Sequence, residues 1–97
     1  MFEFIKSNDN ELKILLSGEI DHHTTSELRP LVDEEILRSS PKVLVLDFSA
    51  VTFMDSSGVG LIMGRYRIMH ELGGVVRVVN IPSSLRHVMR VSGLNKF

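Results

Sequence analysis

Apolar residues along this chain come first in short runs and then at helical intervals. Phe2 to Ile5 and Leu12 to Leu16 are apolar runs separated by Ser7-Asn8-Asp9-Asn10. Side chains of that turn type bond readily to nearby backbone, so the pattern predicts a strand pair. After Gly18, Thr24 and Glu27 have the spacing of a capping box, and Leu28, Leu31, Val32, Glu35 and Ile36 follow helical spacing with four of the five apolar. An amphipathic first helix is expected there. Pro30 falls inside it, and the lost amide donor predicts a kink or a late start. Ser39-Ser40-Pro41 should end it.

Val43-Leu44-Val45-Leu46 is a continuous apolar run, which marks a central strand covered on both faces. From Val59 to Leu72 the residues Val59, Ile62, Met63, Tyr66 and Met69 recur at three and four and mark one face of a second helix. Gly73-Gly74 should stop that helix, the first glycine as a left-handed cap. Val75 to Val79 reads as a further strand. Pro82 pre-sets a third helix with Leu85, Val88 and Met89 at helical spacing and Gly93 as its stop. The order β-β-α-β-α-β-α predicts an α/β domain with a mixed, mostly parallel sheet.

The 97 residues, 43% of them hydrophobic, suffice for one domain spanning 1–97. A net charge of −1 removes the electrostatic basis for nucleic-acid binding. The charge is uneven: Asp21, Glu27, Asp33, Glu34 and Glu35 lie early, Arg86, Arg90 and Lys96 late. Solvated faces account for this. The absence of cysteine excludes disulfides, thiolate metal sites and cysteine nucleophiles. No apolar run approaches the ~20 residues of a membrane span, and the amino terminus lacks the basic and apolar regions of a secretory signal. A soluble cytoplasmic protein is expected.

The candidate chemistry lies in FMDSSGVG, residues 53–60, where a strand should give way to a helix. Neither serine has glycine two residues to each side, as a hydrolase nucleophile elbow requires. Catalysis is therefore not expected. Gly58, Gly60 and Gly64 form G-x-G-x-x-x-G, one residue off the dinucleotide fingerprint, and no Lys-Ser or Lys-Thr follows. A nucleotide site on the helix terminus at residues 55–60 is kept as the alternative reading. His22-His23 beside Asp21 invites a metal, but adjacent side chains diverge and no second ligand pair follows. If Asp55 or Ser56 caps the helix, Ser57 falls in its first turn with a free hydroxyl, open to phosphorylation.

FMDSSGVGLIMGRY (53–66), LSGEIDHHT (16–24), GG at 73–74 and SGL at 92–94 closely resemble the anti-sigma-factor antagonists of the STAS domain family. The resemblance implies a STAS-type fold and a non-enzymatic regulator without a cofactor. Its unphosphorylated form would bind an anti-sigma factor that is also a serine kinase, carrying ATP or ADP, and so release the sporulation sigma factor F. Phosphorylation would switch binding off, and a serine phosphatase would restore it. The family's phosphoacceptor matches Ser57, and its loop acid matches Asp21. The resemblance places Asp21, His22, His23, Thr24, Asp55, Ser56, Ser57, Gly58, Ser83 and Ser84 on or beside the partner surface. Two departures stand out. Pro30 interrupts the first helix, and the family's domain runs past SGL with a further strand and helix, so the chain ending at Phe97 would lack that cap. A monomer is expected, with dimerisation through exposed apolar surface as the alternative.

Overall fold

A computed structural model describes residues 2–8 and 10–91. Four strands form one sheet in the order β1-β2-β3-β4. The elements are β1 (Phe2–Asn8), β2 (Glu11–Ile20), α1 (His22–Ser39), β3 (Val43–Met54), α2 (Ser56–Glu71), β4 (Val75–Val79), a single 3-10 turn at Ser83–Leu85 and α3 (Arg86–Val91). The strand pair β1–β2 is antiparallel, while β2–β3 and β3–β4 are parallel. This is the order the sequence predicts. Gly93, the expected stop of α3, and SGL at 92–94 lie outside the described residues.

Each parallel connection runs through one helix to the neighbouring strand, and right-handed crossovers place both helices on the same face. Leu12, Ile14, Leu16, Leu44, Leu46 and Phe48 are buried in that core beneath Leu28, Val32 and Ile36 of α1 and Val59, Ile62 and Met69 of α2. Burying such side chains supplies about 1.5–3 kcal/mol each before entropy is subtracted. The strand β3 is interior, as its apolar run predicts, but it runs to Met54, eight residues beyond Leu46. Its later part alternates irregularly, with Phe48, Val51 and Met54 buried at intervals of three.

The spacing has a cause in the register. Leu15 pairs with Asp47, Ser17 with Ala50, and Glu19 with Phe53, so β3 gains one residue on β2 at each of two irregularities. Extra residues of this kind bend a strand and re-aim the side chains beyond the bend. Gly18 takes a left-handed φ of +76° between the two shifts, a conformation open to glycine without steric penalty.

The first helix corrects two expectations. It begins at His22 rather than late, and Asp21 rather than Thr24 is its cap: Asp21 Oδ1 accepts the Thr24 amide at 2.9 Å, and Thr24 Oγ1 accepts the Asp21 amide at 2.8 Å. A capping box is present, then, but three residues earlier than expected. Glu27 instead lies 3.3 Å from His23. Pro30 sits inside an otherwise continuous helix; it and Ser26, whose carbonyl loses its amide partner, are both exposed, so that carbonyl is open to solvent. Leu31 is exposed too, and the buried stripe is Thr25, Leu28, Val32 and Ile36.

Gly73 ends α2 with φ +79°, as a left-handed cap should. Gly74 packs closely against Lys42: a Cβ there would lie 2.8 Å from the Lys42 carbonyl oxygen.

Candidate functional site

The carboxyl ends of β2 and β3 finish level, with Ile20 opposite Met54. An aspartate follows each strand. Asp21 caps α1 and Asp55 caps α2, and the Asp55 amide donates to the Ile20 carbonyl at 3.2 Å. Both helices therefore start from adjacent points, and their first turns lie side by side. This juxtaposition builds the site.

At the start of α2, Asp55 Oδ1 accepts the Ser57 amide at 2.8 Å, and the Asp55 carbonyl accepts the Gly58 amide at 3.0 Å. Of the two expected candidates, Asp55 and Ser56, it is Asp55 that caps the helix. Neither the Ser56 nor the Ser57 hydroxyl has a hydrogen-bond partner among the described residues. The two differ in setting: Ser56 is exposed, whereas Ser57 is half-buried and lines a shallow depression of about 200 Å³ with His22, Thr25, Arg29, Gly60 and Leu61.

Gly58 is buried on the inner side of the same turn. A Cβ there would collide with the buried Met54 side chain and approach Ile20 Cγ2 to 3.2 Å. Only glycine lets α2 start so close to the strand ends. With the Ser57 and Gly58 amides already bonded to Asp55, and a carboxylate beside them, this helix start is poorly equipped to hold a nucleotide phosphate directly.

At the start of α1, His22 lines the depression while His23 turns out to Glu27, so the adjacent histidines diverge. Among the described residues no group of His, Cys, Asp and Glu could hold a metal ion. The Asp21 carboxyl lies below its usual pKa, chiefly because it accepts the Thr24 amide. Thr24 is thereby a scaffold for Asp21. Ser83 and Ser84 are exposed at the turn before α3, and neither lines the depression.

Arg29 was absent from the sequence-based set. It lies seven residues after His22, two turns along the same helix face, and that spacing is the signal that could have found it. Arg65 was missed as well. It is 5% exposed, its Nε 2.8 Å from Asp33 Oδ1 and its Nη2 3.4 Å from Oδ2, which ties α2 to α1. The Nε contact is an ion pair outside hydrogen-bond geometry, and Nη1 has no hydrogen-bond partner among the described residues. Burial pushes the Arg65 pKa down, and Asp33 opposes that.

On the far face of the sheet, Asp47 is 4% exposed. Its carboxylate accepts the Ser49 amide at 2.9 Å and Asn80 Nδ2 at 3.2 Å, and lies 3.1 Å from Lys13 Nζ. Burial alone would raise its pKa, but these partners outweigh it and bring the value down to about 2. A larger groove of about 580 Å³ lies between α2, β4 and α3, lined by Ile62, Tyr66, Val78 and Met89 among others. It contains none of the capping aspartates or serines, and the depression at Ser57 is the better site on chemical grounds despite its smaller size.

The sheet is mixed and four-stranded, with the starts of α1 and α2 gathered at one end, and the STAS domain model matches residues 5–97. The chain belongs to the STAS domain family. It is 40% identical over 85 residues to the anti-sigma F factor antagonist of Paenibacillus polymyxa, a match spanning 88% of this chain and 73% of that protein. It is 35% identical over 81 residues to the anti-sigma F factor antagonist of Lysinibacillus sphaericus, spanning 84% and 69% respectively. Among solved structures, the anti-sigma factor antagonist SpoIIAA in its unphosphorylated form superposes with a TM-score of 0.89 at 31% identity, covering 99% of this chain and 84% of that one. The phosphorylated form of the Bacillus cell fate determinant SpoIIAA matches with a TM-score of 0.79, also at 31% identity, covering 99% and 86%. The fold and the family agree with the resemblance read from the motifs, and the relatives that the chain matches are anti-sigma factor antagonists of the SpoIIAA kind.

Proposed function

We propose that the unphosphorylated protein binds an anti-sigma factor that is also a serine kinase, releasing the sporulation sigma factor F, and that phosphorylation of Ser57 switches this binding off. The observation that carries the proposal is the Ser57 hydroxyl, unpartnered among the described residues, half-buried in the first turn of α2 and next to the start of α1. In the transfer step the Ser57 oxygen would form the new bond to the γ-phosphorus of ATP. ADP would leave with the broken bond, and the hydroxyl proton would pass to a base of the kinase or to solvent.

The two helix starts form the surface in this reading. Asp21, His22, His23 and Thr24 contribute from α1, and Asp55, Ser56 and Ser57 from α2, while Gly58, expected on this surface, is buried beneath it and sets its position. Ser83 and Ser84 would border it. An added phosphate brings about −1.5 to −2 charges to that surface. The α2 terminus stabilises an anion by roughly 0.3–1 kcal/mol, while a partner interface packed over an unpaired charge loses several kcal/mol. Binding would thus be lost while the fold survives. A serine phosphatase would reverse the switch in the cytoplasm.

Incubation with an anti-sigma F kinase and ATP should add one phosphate, mapped by mass spectrometry to Ser57. Modification of Ser56 instead would sink the assignment. The alternative, direct nucleotide binding at residues 55–60, predicts micromolar affinity for ATP or GTP by calorimetry with no partner present.

A further inference from the structure

The depression at Ser57 has one wall from α2 and one from α1, and the α1 wall carries two basic side chains, His22 and Arg29. The acids of the same helix have other partners. Asp33, one turn beyond Arg29, is taken by Arg65 at 2.8 Å. Glu27 lies 3.3 Å from His23, and Glu35 binds Arg38. Arg29 makes no hydrogen bond or ion pair among the described residues, although Asp33 lies four residues on, within reach on the same helix face.

We infer that Arg29, with His22 closing the same wall, receives in cis a phosphoryl group carried by Ser57. The inference rests on the reading of Ser57 as the phosphoacceptor and adds where the phosphate goes. The depression's volume of about 200 Å³ is several times the ~30 Å³ share of a water molecule in the liquid. A guanidinium there offers forked N–H donors matched to phosphate oxygens. The charges around the group are Arg65, which faces Arg29 from α2 but is paired with Asp33, and two carboxylates. Asp55 is fixed beside it by the Ser57 amide, and Asp21 caps the adjoining helix. Arg29 offsets the repulsion from these carboxylates. Phosphorylation would then alter the partner surface twice, adding an anion and withdrawing a cation.

The test uses the full chain with phosphoserine installed at position 57 by codon-directed incorporation, which needs no kinase, and follows the phosphate by ³¹P NMR against pH. The second phosphate pKa, ordinarily about 6, is expected to be lower in the parent than in Arg29→Gln by roughly 0.2–0.7 of a unit. Arg29→Lys should restore part of the difference, and about 1 M salt should shrink it. Equal pKa values in the parent and Arg29→Gln overturn the receptor. That result together with kinase labelling at Ser57 would leave the phosphoacceptor reading standing. Labelling elsewhere with a clear Arg29 effect would remove the phosphoacceptor reading while the cis pairing is observed directly.

Discussion

Asp55 and Ser57 share one hydrogen bond that divides the first turn of α2 into a fixed backbone and a free side chain. Oδ1 of Asp55 accepts the Ser57 amide at 2.8 Å, and the Ser57 hydroxyl has no hydrogen-bond partner among the described residues. Asp55→Ala should therefore cost about 0.5–2 kcal/mol of stability in urea unfolding. Ser57→Ala should stay within about 0.5 kcal/mol of the parent. A larger loss for Ser57→Ala than for Asp55→Ala would show that the hydroxyl is structural.

Gly58 and Gly64 lie on the same helix, with opposite expectations. A methyl at Gly58 meets the buried Met54, so Gly58→Ala should cost about 1–3 kcal/mol and weaken partner binding by shifting the α2 start. At Gly64 a Cβ meets nothing within 4 Å. Gly64→Ala should raise stability by roughly 0.5–1 kcal/mol through helix propensity alone. Thermal unfolding of both variants, read against the parent, distinguishes these outcomes.

Asp47 should dominate part of the acid limb of stability. Its folded pKa of about 2 is below the ordinary 3.8, so its contribution is fully present above the ordinary value and is lost as pH falls toward the folded one. The contribution is on the order of 2 kcal/mol. Asp47→Asn should lower stability at pH 7 and flatten its pH dependence between about 4 and 2. Urea midpoints measured across that window would refute the assignment if the two slopes matched.

Arg65 and Asp33 join the two long helices through a charge pair buried on the arginine side. Arg65→Met removes the partner of Asp33, but that side chain is 32% exposed, partly hydrated and four residues from Arg29, so the loss should be about 1–3 kcal/mol. Adding Asp33→Leu should recover most of it. A double variant no more stable than the single one would mean that the arginine stem, and not the charge, is what packs there.

The element order was legible because apolar periodicity differs between strand and helix, and the sharpest boundaries had chemical markers: Gly73 for the end of α2 and Ser39-Ser40-Pro41 for the end of α1. The cap of α1 was misplaced because Thr24 also has a glutamate three residues on. The choice between two overlapping capping boxes depended on where β2 ends, which tertiary pairing decides. The far half of β3 was hidden because Asp47, Ser49 and Thr52 interrupt the apolar run, and its spacing of three arises from bulges opposite β2. Local motifs singled out Asp21 and Ser57 as candidates. Arg29 and Arg65 stayed hidden because their meaning depends on which helices lie side by side.

Strand β2 takes ten residues and β3 takes twelve to travel between the same two ends of the sheet. At the starting offset, Ile20 would face Thr52, and Asp55 would stand two residues, roughly 6.6 Å, beyond its present level. The two extra residues of β3 therefore work as a spacer that sets the phase of one helix against the other. Deleting one of them would leave every motif of the sequence intact and turn the remaining strand end to its opposite face. Specificity in such a domain can thus drift through the length of a buried strand, with no change in any residue that touches a partner.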